Sequence, residues 1–342
     1  MEKIMAQETI VFTQGGELPA DLLTQAQAMK PPGFTLHVLP ADANAEDIAA
    51  AMQEAEYLMG FVRFLPDKAY ARASRLRLVQ VLSAGYDRVN IAGARAARIP
   101  ICSNGGANSV AVAEHTIMLI LAVYRKLVTF HPNVAAGRWH RGIPRTVDVL
   151  ELEGKTVGLV GMGNIGQQVA RRLQGFDVTI IYYDPIRRSP EEEARLNVRY
   201  VPLETLLETA DVVSLHVPLN DATRDMIDAK ALTRMQPKAI LINTCRGEVV
   251  QEEALIDALR QGRILGAGLD TQAKEPPDPT NPLLTLPNVT LTPHSAGPTF
   301  DSFRKRFHNG YANIQRVAND QPPLWVIPEM RDLFPRGKAK GN

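Results

Sequence analysis

The chain has 342 residues, enough for two ordinary domains with separate cores. An apolar content of 45% and a net charge of +1 describe a globular protein and argue against a nucleic-acid or membrane-surface partner. Two cysteines, Cys102 and Cys245, are too few for a disulfide framework, and with no export-type leader they fit a reducing, cytoplasmic compartment.

In chain order, "TIVFT", "FTLHVL", "YLMGFV", "LRLVQVLS" and "IPICS" read as buried strands. Between them "LPADLLTQAQAM", "NAEDIAAAMQEA", "PDKAYARA" and "NIAGARAARI" space their apolar residues as helices do. This alternation predicts βαβ units around a parallel sheet. A long apolar helix is expected from about 108 to 126; its charged flanks, Glu114, His115, Arg125 and Lys126, mark it as buried rather than membrane-spanning. The stretch 131–154 reads as irregular. Alternation then restarts with "KTVGLVG", "VTIIYYD", "DVVSLHV", "KAILINT", "ILGAGLD" and "NVTLTPH", and a last amphipathic helix is expected over about 299–317. The expected fold is α/β: two doubly wound parallel-sheet domains, one inserted in the other.

At the second restart the apolar run breaks into Gly161, Gly163 and Gly166, with Asn164 and Ile165 opening a helix and Asp184 closing the next strand. A tight strand-to-helix turn accounts for glycines without any ligand. Strand, helix and acid together point to a dinucleotide: the first glycine makes the turn, the second admits the pyrophosphate, and the third lets helix and strand pack. An acid about 20 residues further on suits the ribose hydroxyls and repels an added phosphate, which favours NAD over NADP. Arg187 and Arg188 follow closely and soften that preference.

Ligands of a doubly wound sheet sit beyond the carboxyl ends of its strands. Three polar groups follow such ends: Arg246 after "AILINT", Glu275 after "ILGAGLD", and His294 after "NVTLT". With "GMGNIG", "LHVPL", "NTCRGEVV", "KEPP", "TPHSAG", "SAGYDRVN" and "VAEHTIMLILAVYR", the chain resembles the D-isomer-specific 2-hydroxyacid dehydrogenases over nearly its whole length. The resemblance implies a Rossmann-type NAD-binding domain at 107–298 inserted into a flavodoxin-like substrate domain at 1–106 and 299–342. It implies NAD-dependent hydride transfer between a D-2-hydroxy acid and its 2-keto acid. His294 is then the acid–base, Glu275 its carboxylate partner favouring the imidazolium, and Arg246 the holder of the substrate carboxylate and C2 oxygen. Backbone N–H groups around Ala84 and Gly85 share the carboxylate. His216, Val217, Pro218, Thr244, Cys245 and Asp270 join the glycine loop on the cofactor side. A homodimer is implied as well.

Simpler readings apply elsewhere. His37, His131, His140 and His308 fall outside any motif, and His115 reads as packed or hydrogen-bonded on its helix. Hydride transfer needs no thiol nucleophile, so Cys245 reads as a small packing residue. No ligand spacing suggests a metal. The basic stretch 138–145 and the basic tail read as solvated. Thr271, Gln272 and Ser295 depart from the family pattern and leave the pocket shape open. Two alternatives stand beside the main one: an NADPH-preferring glyoxylate or hydroxypyruvate reductase, and an NAD-sensing, corepressor-like scaffold.

Overall fold

The computed structural model describes residues 7–139 and 149–335. From His140 the basic stretch passes outside the described residues, as does the tail from 336. The chain divides into two compact units, Met1–Asn108 with Pro298–Asn342, and Ser109–Gly297.

The first unit carries β1 (Glu8–Thr13), β2 (Phe34–Val38), β3 (Tyr57–Gly60), β4 (Leu78–Val81) and β5 (Ile101–Cys102). They pair in parallel in the order β2-β1-β3-β4-β5, the flavodoxin-like winding. Helices cover both faces of such a sheet, so its inner strands read as unbroken apolar runs: all four residues of β3 and of β4 are buried. The helix Phe300–Ala318 returns the chain to this unit. It begins at a capping box between Thr299 and Ser302, and Phe303, Phe307, Tyr311 and Ile314 line its buried face, three or four residues apart.

The second unit carries β6 (Thr156–Val160), β7 (Thr179–Tyr183), β8 (Arg199–Tyr200), β9 (Val212–Leu215), β10 (Ile240–Asn243), β11 (Gly266–Leu269) and β12 (Val289–Leu291). All pairings are parallel, in the order β12-β11-β10-β9-β6-β7-β8. Counted from β6 this is the Rossmann order with one strand added at the far edge. The two-residue β8 is too short to leave any periodicity, and the sequence pattern missed it.

Strand alternation sorts this sheet's side chains into two cores. Val157, Leu159, Ile240 and Ile242 face one way, against the helices Ser109–Tyr124 and Asn164–Leu173. Val160, Ile181, Val213 and Leu241 face the other way, against the helices Ala229–Arg234 and Glu252–Arg260. The helix Ser109–Tyr124 is apolar almost all round because it is buried almost all round: Val112, Ala113, Thr116, Ile117, Leu119 and Ile120 are all inside. Among the described residues no helix is long and apolar enough to cross a membrane.

Residues 131–135, read as irregular, lie in a helix, Leu127–Ala135, that carries Pro132 in its interior. A proline removes one backbone donor and usually ends a helix. Here Asn133 Nδ2 bonds the Thr129 carbonyl at 2.7 Å and the turn persists.

Candidate active site

Because every strand of the second sheet runs the same way, its carboxyl ends share one edge. Gly161, Asp184, His216, Thr244, Asp270 and Thr292 each follow a strand there. Gly161 turns the chain with φ +99°, and a Cβ on it would stand 2.6 Å from the His216 carbonyl oxygen. A Cβ on Gly166 would stand 2.2 Å from the Gly161 carbonyl oxygen. The protein itself therefore demands these two glycines. Gly163 is different: a Cβ there meets nothing within 4 Å. It is the N-cap of the helix Asn164–Leu173, which has no side-chain cap and no acidic residue in its first turn. An open glycine at an uncapped helix N-terminus fits a pyrophosphate, which the N–H groups of Asn164 and Ile165 would hold.

Asp184 lies beside this turn. Its carboxylate accepts the Met162 N–H at 2.8 Å and the Ile186 N–H at 2.9 Å, which hold it in place at the end of β7. Arg187 is tied to Glu193 by two bonds, at 2.8 and 3.0 Å, and lies over the Tyr200 ring. Arg188 Nη2 stands 3.9 Å from Asp184.

At the other side of the sheet three loops meet. Asn243 Nδ2 bonds the Arg246 carbonyl at 2.8 Å, and Asn243 Oδ1 accepts the Cys245 N–H at 3.0 Å, which shapes the turn that presents Arg246. Arg246 is half-buried and its Nη1 donates to the Cys245 carbonyl at 2.7 Å. A Cβ on Gly247 would stand 1.9 Å from the Gln272 carbonyl carbon, so this loop is pressed directly against the one that carries Glu275. The Gln272 N–H reaches Glu275 Oε1 at 3.2 Å, while Oε2 lies 2.8 Å from His294 Nδ1. His294 has a left-handed backbone, φ +54°, and 43% of its side chain is exposed. Its Nε2 makes no hydrogen bond within the described residues and faces outward from the pair.

The other expected positions divide by unit. Val217 is buried and Pro218 exposed beside the glycine turn. His216 contributes its backbone there. Its ring bonds Ser214 Oγ at 3.0 Å, and burial pushes its pKa down to about 3. The Cys245 thiol is buried and pushed up to about 11, which makes it a poor nucleophile. Asp270 is 1% exposed and turns its carboxylate into the protein, toward the His294 loop. Ala84 and Gly85 belong to the other unit, on the loop after β4, where Ser83 Oγ bonds the Gly85 carbonyl at 2.6 Å. Among the described residues no three His, Cys, Asp or Glu side chains are grouped to hold a metal ion.

Residues 117–296 match the family model of the D-isomer specific 2-hydroxyacid dehydrogenase NAD binding domain. A glyoxylate reductase of Thermofilum pendens is 40% identical over 270 residues, which cover 78% of this chain and 80% of the relative. The chain belongs to the D-isomer specific 2-hydroxyacid dehydrogenases. It is an oxidoreductase of CH–OH donors that interconverts a 2-hydroxy acid and its 2-keto acid with a nicotinamide cofactor. Among solved structures, the NADPH-dependent glyoxylate/hydroxypyruvate reductase of Sinorhizobium meliloti, in complex with NADP and malonate, superposes with a TM-score of 0.81 at 29% identity. The match covers 97% of this chain and 99% of that one. The NAD-complexed D-isomer specific 2-hydroxyacid dehydrogenase of Lactobacillus delbrueckii ssp. bulgaricus gives 0.79 at 26% identity, covering 93% and 100%.

Three polar residues around these loops lie within the sequence motifs, yet the sequence pointed to no catalytic part for them. Asn243 opens "NTCRGEVV" and Thr292 opens "TPHSAG". His115 lies 177 positions from its partner, Thr292, and nothing local marks that contact.

Proposed function

We propose that this enzyme is an NAD-dependent reductase of small 2-keto acids to D-2-hydroxy acids, of the glyoxylate and hydroxypyruvate class, with Arg246, Glu275 and His294 as its catalytic residues. The observation that carries the reading is the 2.8 Å Glu275–His294 contact with Nε2 left outward, beside a loop that presents an arginine. The bound cofactor supplies or accepts the hydride at the substrate C2. His294 Nε2 gives the proton to the developing C2 alkoxide in reduction and takes it back in oxidation. Glu275 holds the Nδ1–H, orients the ring and stabilises the charged imidazolium. Arg246 engages the substrate carboxylate and the C2 oxygen through its planar fork. The choice of keto acid rests on the relatives named as glyoxylate reductases.

In this reading the unit of residues 109–297 holds the cofactor through Gly161, Gly163, Asn164, Ile165, Gly166 and Asp184, with Val217, Pro218, Thr244 and Cys245 along its edge and Asp270 behind it. The support for NAD is that two backbone N–H groups hold the Asp184 carboxylate at the end of β7 and that Arg187 is committed to Glu193. Arg188, near Asp184, supports the NADPH alternative. A second copy of the chain covers the helix Leu127–Ala135, which buries none of its residues although Leu127, Val128 and Val134 are apolar. The two buried thiols support a cytoplasmic setting.

A panel of 2-keto acids with NADH and NADPH tests the reading. Glyoxylate and hydroxypyruvate are expected to turn over best, and NADH by at least about tenfold in kcat/KM, a difference of about 1.4 kcal/mol. Tight NADH binding with no keto acid reduced contradicts the assignment, and an NADPH preference moves the conclusion to the alternative.

A further inference from the structure

His294 is held in a left-handed backbone conformation that non-glycine residues seldom adopt, so the surroundings must impose it. The bonds that do so converge on Asp270. Its carbonyl accepts the His294 N–H at 2.7 Å, its Oδ1 accepts the Ser295 N–H at 2.9 Å, and its Oδ2 accepts the Ala296 N–H at 3.0 Å. Thr292 Oγ1 donates to Oδ1 at 2.6 Å. A threonine hydroxyl has one proton, so toward any other neighbour Thr292 can only accept. That neighbour is His115 Nε2, 2.9 Å away, which therefore carries a proton. The same nitrogen lies 3.4 Å from Asp270 Oδ1. Burial lowers the His115 pKa against the attraction of Asp270, so at neutral pH the ring is the neutral tautomer protonated on Nε2.

The next residue along the helix repeats the arrangement on a second loop. Thr116 Oγ1 donates to the Val112 carbonyl at 2.8 Å and lies 3.1 Å from Thr244 Oγ1. Its proton being committed, it accepts from Thr244, two residues before Arg246. Two successive residues of the buried helix Ser109–Tyr124 thus reach the loops of both Arg246 and His294.

We propose that His115 is a positioning residue for the reaction: by donating through Nε2 to Thr292 it holds the Thr292–Asp270 pair that sets the His294 loop. The inference rests on the reading of His294 as the acid–base. In this proposal His115 contacts neither substrate nor cofactor. It acts only through the placement of His294, so its loss lowers kcat and leaves binding almost unchanged.

The test uses the full chain with four single variants, His115→Leu, His115→Gln, His115→Asn and Thr292→Val, together with the His115→Leu/Thr292→Val double variant and His294→Ala as reference. The readouts are kcat, KM for glyoxylate, NADH affinity by fluorescence, and Tm. His115→Leu is expected to lose about 30-fold in kcat, with KM and NADH affinity within about threefold of the parent. Glutamine extends an N–H about as far as Nε2 and is expected to restore kcat to within about threefold of the parent; asparagine reaches only as far as Nδ1 and is not. In the Thr292→Val background His115→Leu adds less than about twofold, the non-additivity of a shared pathway. Parent kcat in His115→Leu overturns the inference, and so do equal losses in the glutamine and asparagine variants. If His115→Leu fails to fold, the glutamine–asparagine contrast decides alone. Parent activity in His294→Ala overturns the acid–base reading itself, whereas an inactive His294→Ala beside a normal His115→Leu rejects only the role of His115.

Discussion

In the proposed site, the two sides of the Rossmann sheet build their halves from different materials. Beside β6 and β7 the groups that count are backbone: N–H donors at an uncapped helix end, brought close by glycines, with one carboxylate pinned by two further N–H groups. Beyond β10, β11 and β12 they are side chains on three separate loops, braced against one another and against a buried helix. A backbone site fails when a side chain is added. A side-chain site fails when one is removed. The cofactor half should therefore respond to mutation in affinity, and the catalytic half in turnover.

The largest expected effect lies on the catalytic half. His294→Ala should lower kcat by about 10³-fold, within the range of general acid–base catalysis, while NADH affinity measured by fluorescence stays within about twofold. A parallel loss of NADH binding would dissolve the distinction between the halves.

The glycine turn sharpens the comparison from the other side. Gly161→Ala forces a Cβ into the His216 carbonyl at a positive φ and should destabilise the fold by about 1–3 kcal/mol in urea denaturation, whatever it does to cofactor binding. Gly163→Ala meets no protein atom, so its stability cost should stay under about 1 kcal/mol, the scale of an N-cap change. Its NADH affinity should nevertheless fall by at least about tenfold, a loss of about 1.4 kcal/mol of binding. An unchanged affinity would mean that the pyrophosphate does not approach Gly163.

The smallest effect is in pH. His216, at the boundary between the halves, is held neutral by burial with its pKa near 3, against about 6.5 in an unfolded chain. Unfolding therefore takes up a proton between those values. The stability tied to neutral His216 is complete above about pH 6.5 and is lost as pH falls toward 3. His115 contributes with the same sign. Urea midpoints of the parent should drop more steeply below pH 6.5 than those of His216→Gln; identical slopes would contradict the burial of a neutral ring.

The sequence by itself determined the strand–helix alternation, the winding into parallel sheets and the glycine turn, because periodicity and φ-specific residues are local properties. It also placed Arg246, Glu275 and His294 at strand ends, since a parallel sheet puts all its carboxyl ends on one edge. It did not reveal β8, two residues without a pattern, or the helix through Pro132, where Asn133 makes a compensating bond. Only the tertiary structure decided which way Asp270 turns, and that His115 meets Thr292 across 177 positions. Those contacts arise from the packing of the helix Ser109–Tyr124 onto the sheet. Its apolar pattern encodes that it is buried, but not which polar group lies opposite its one histidine.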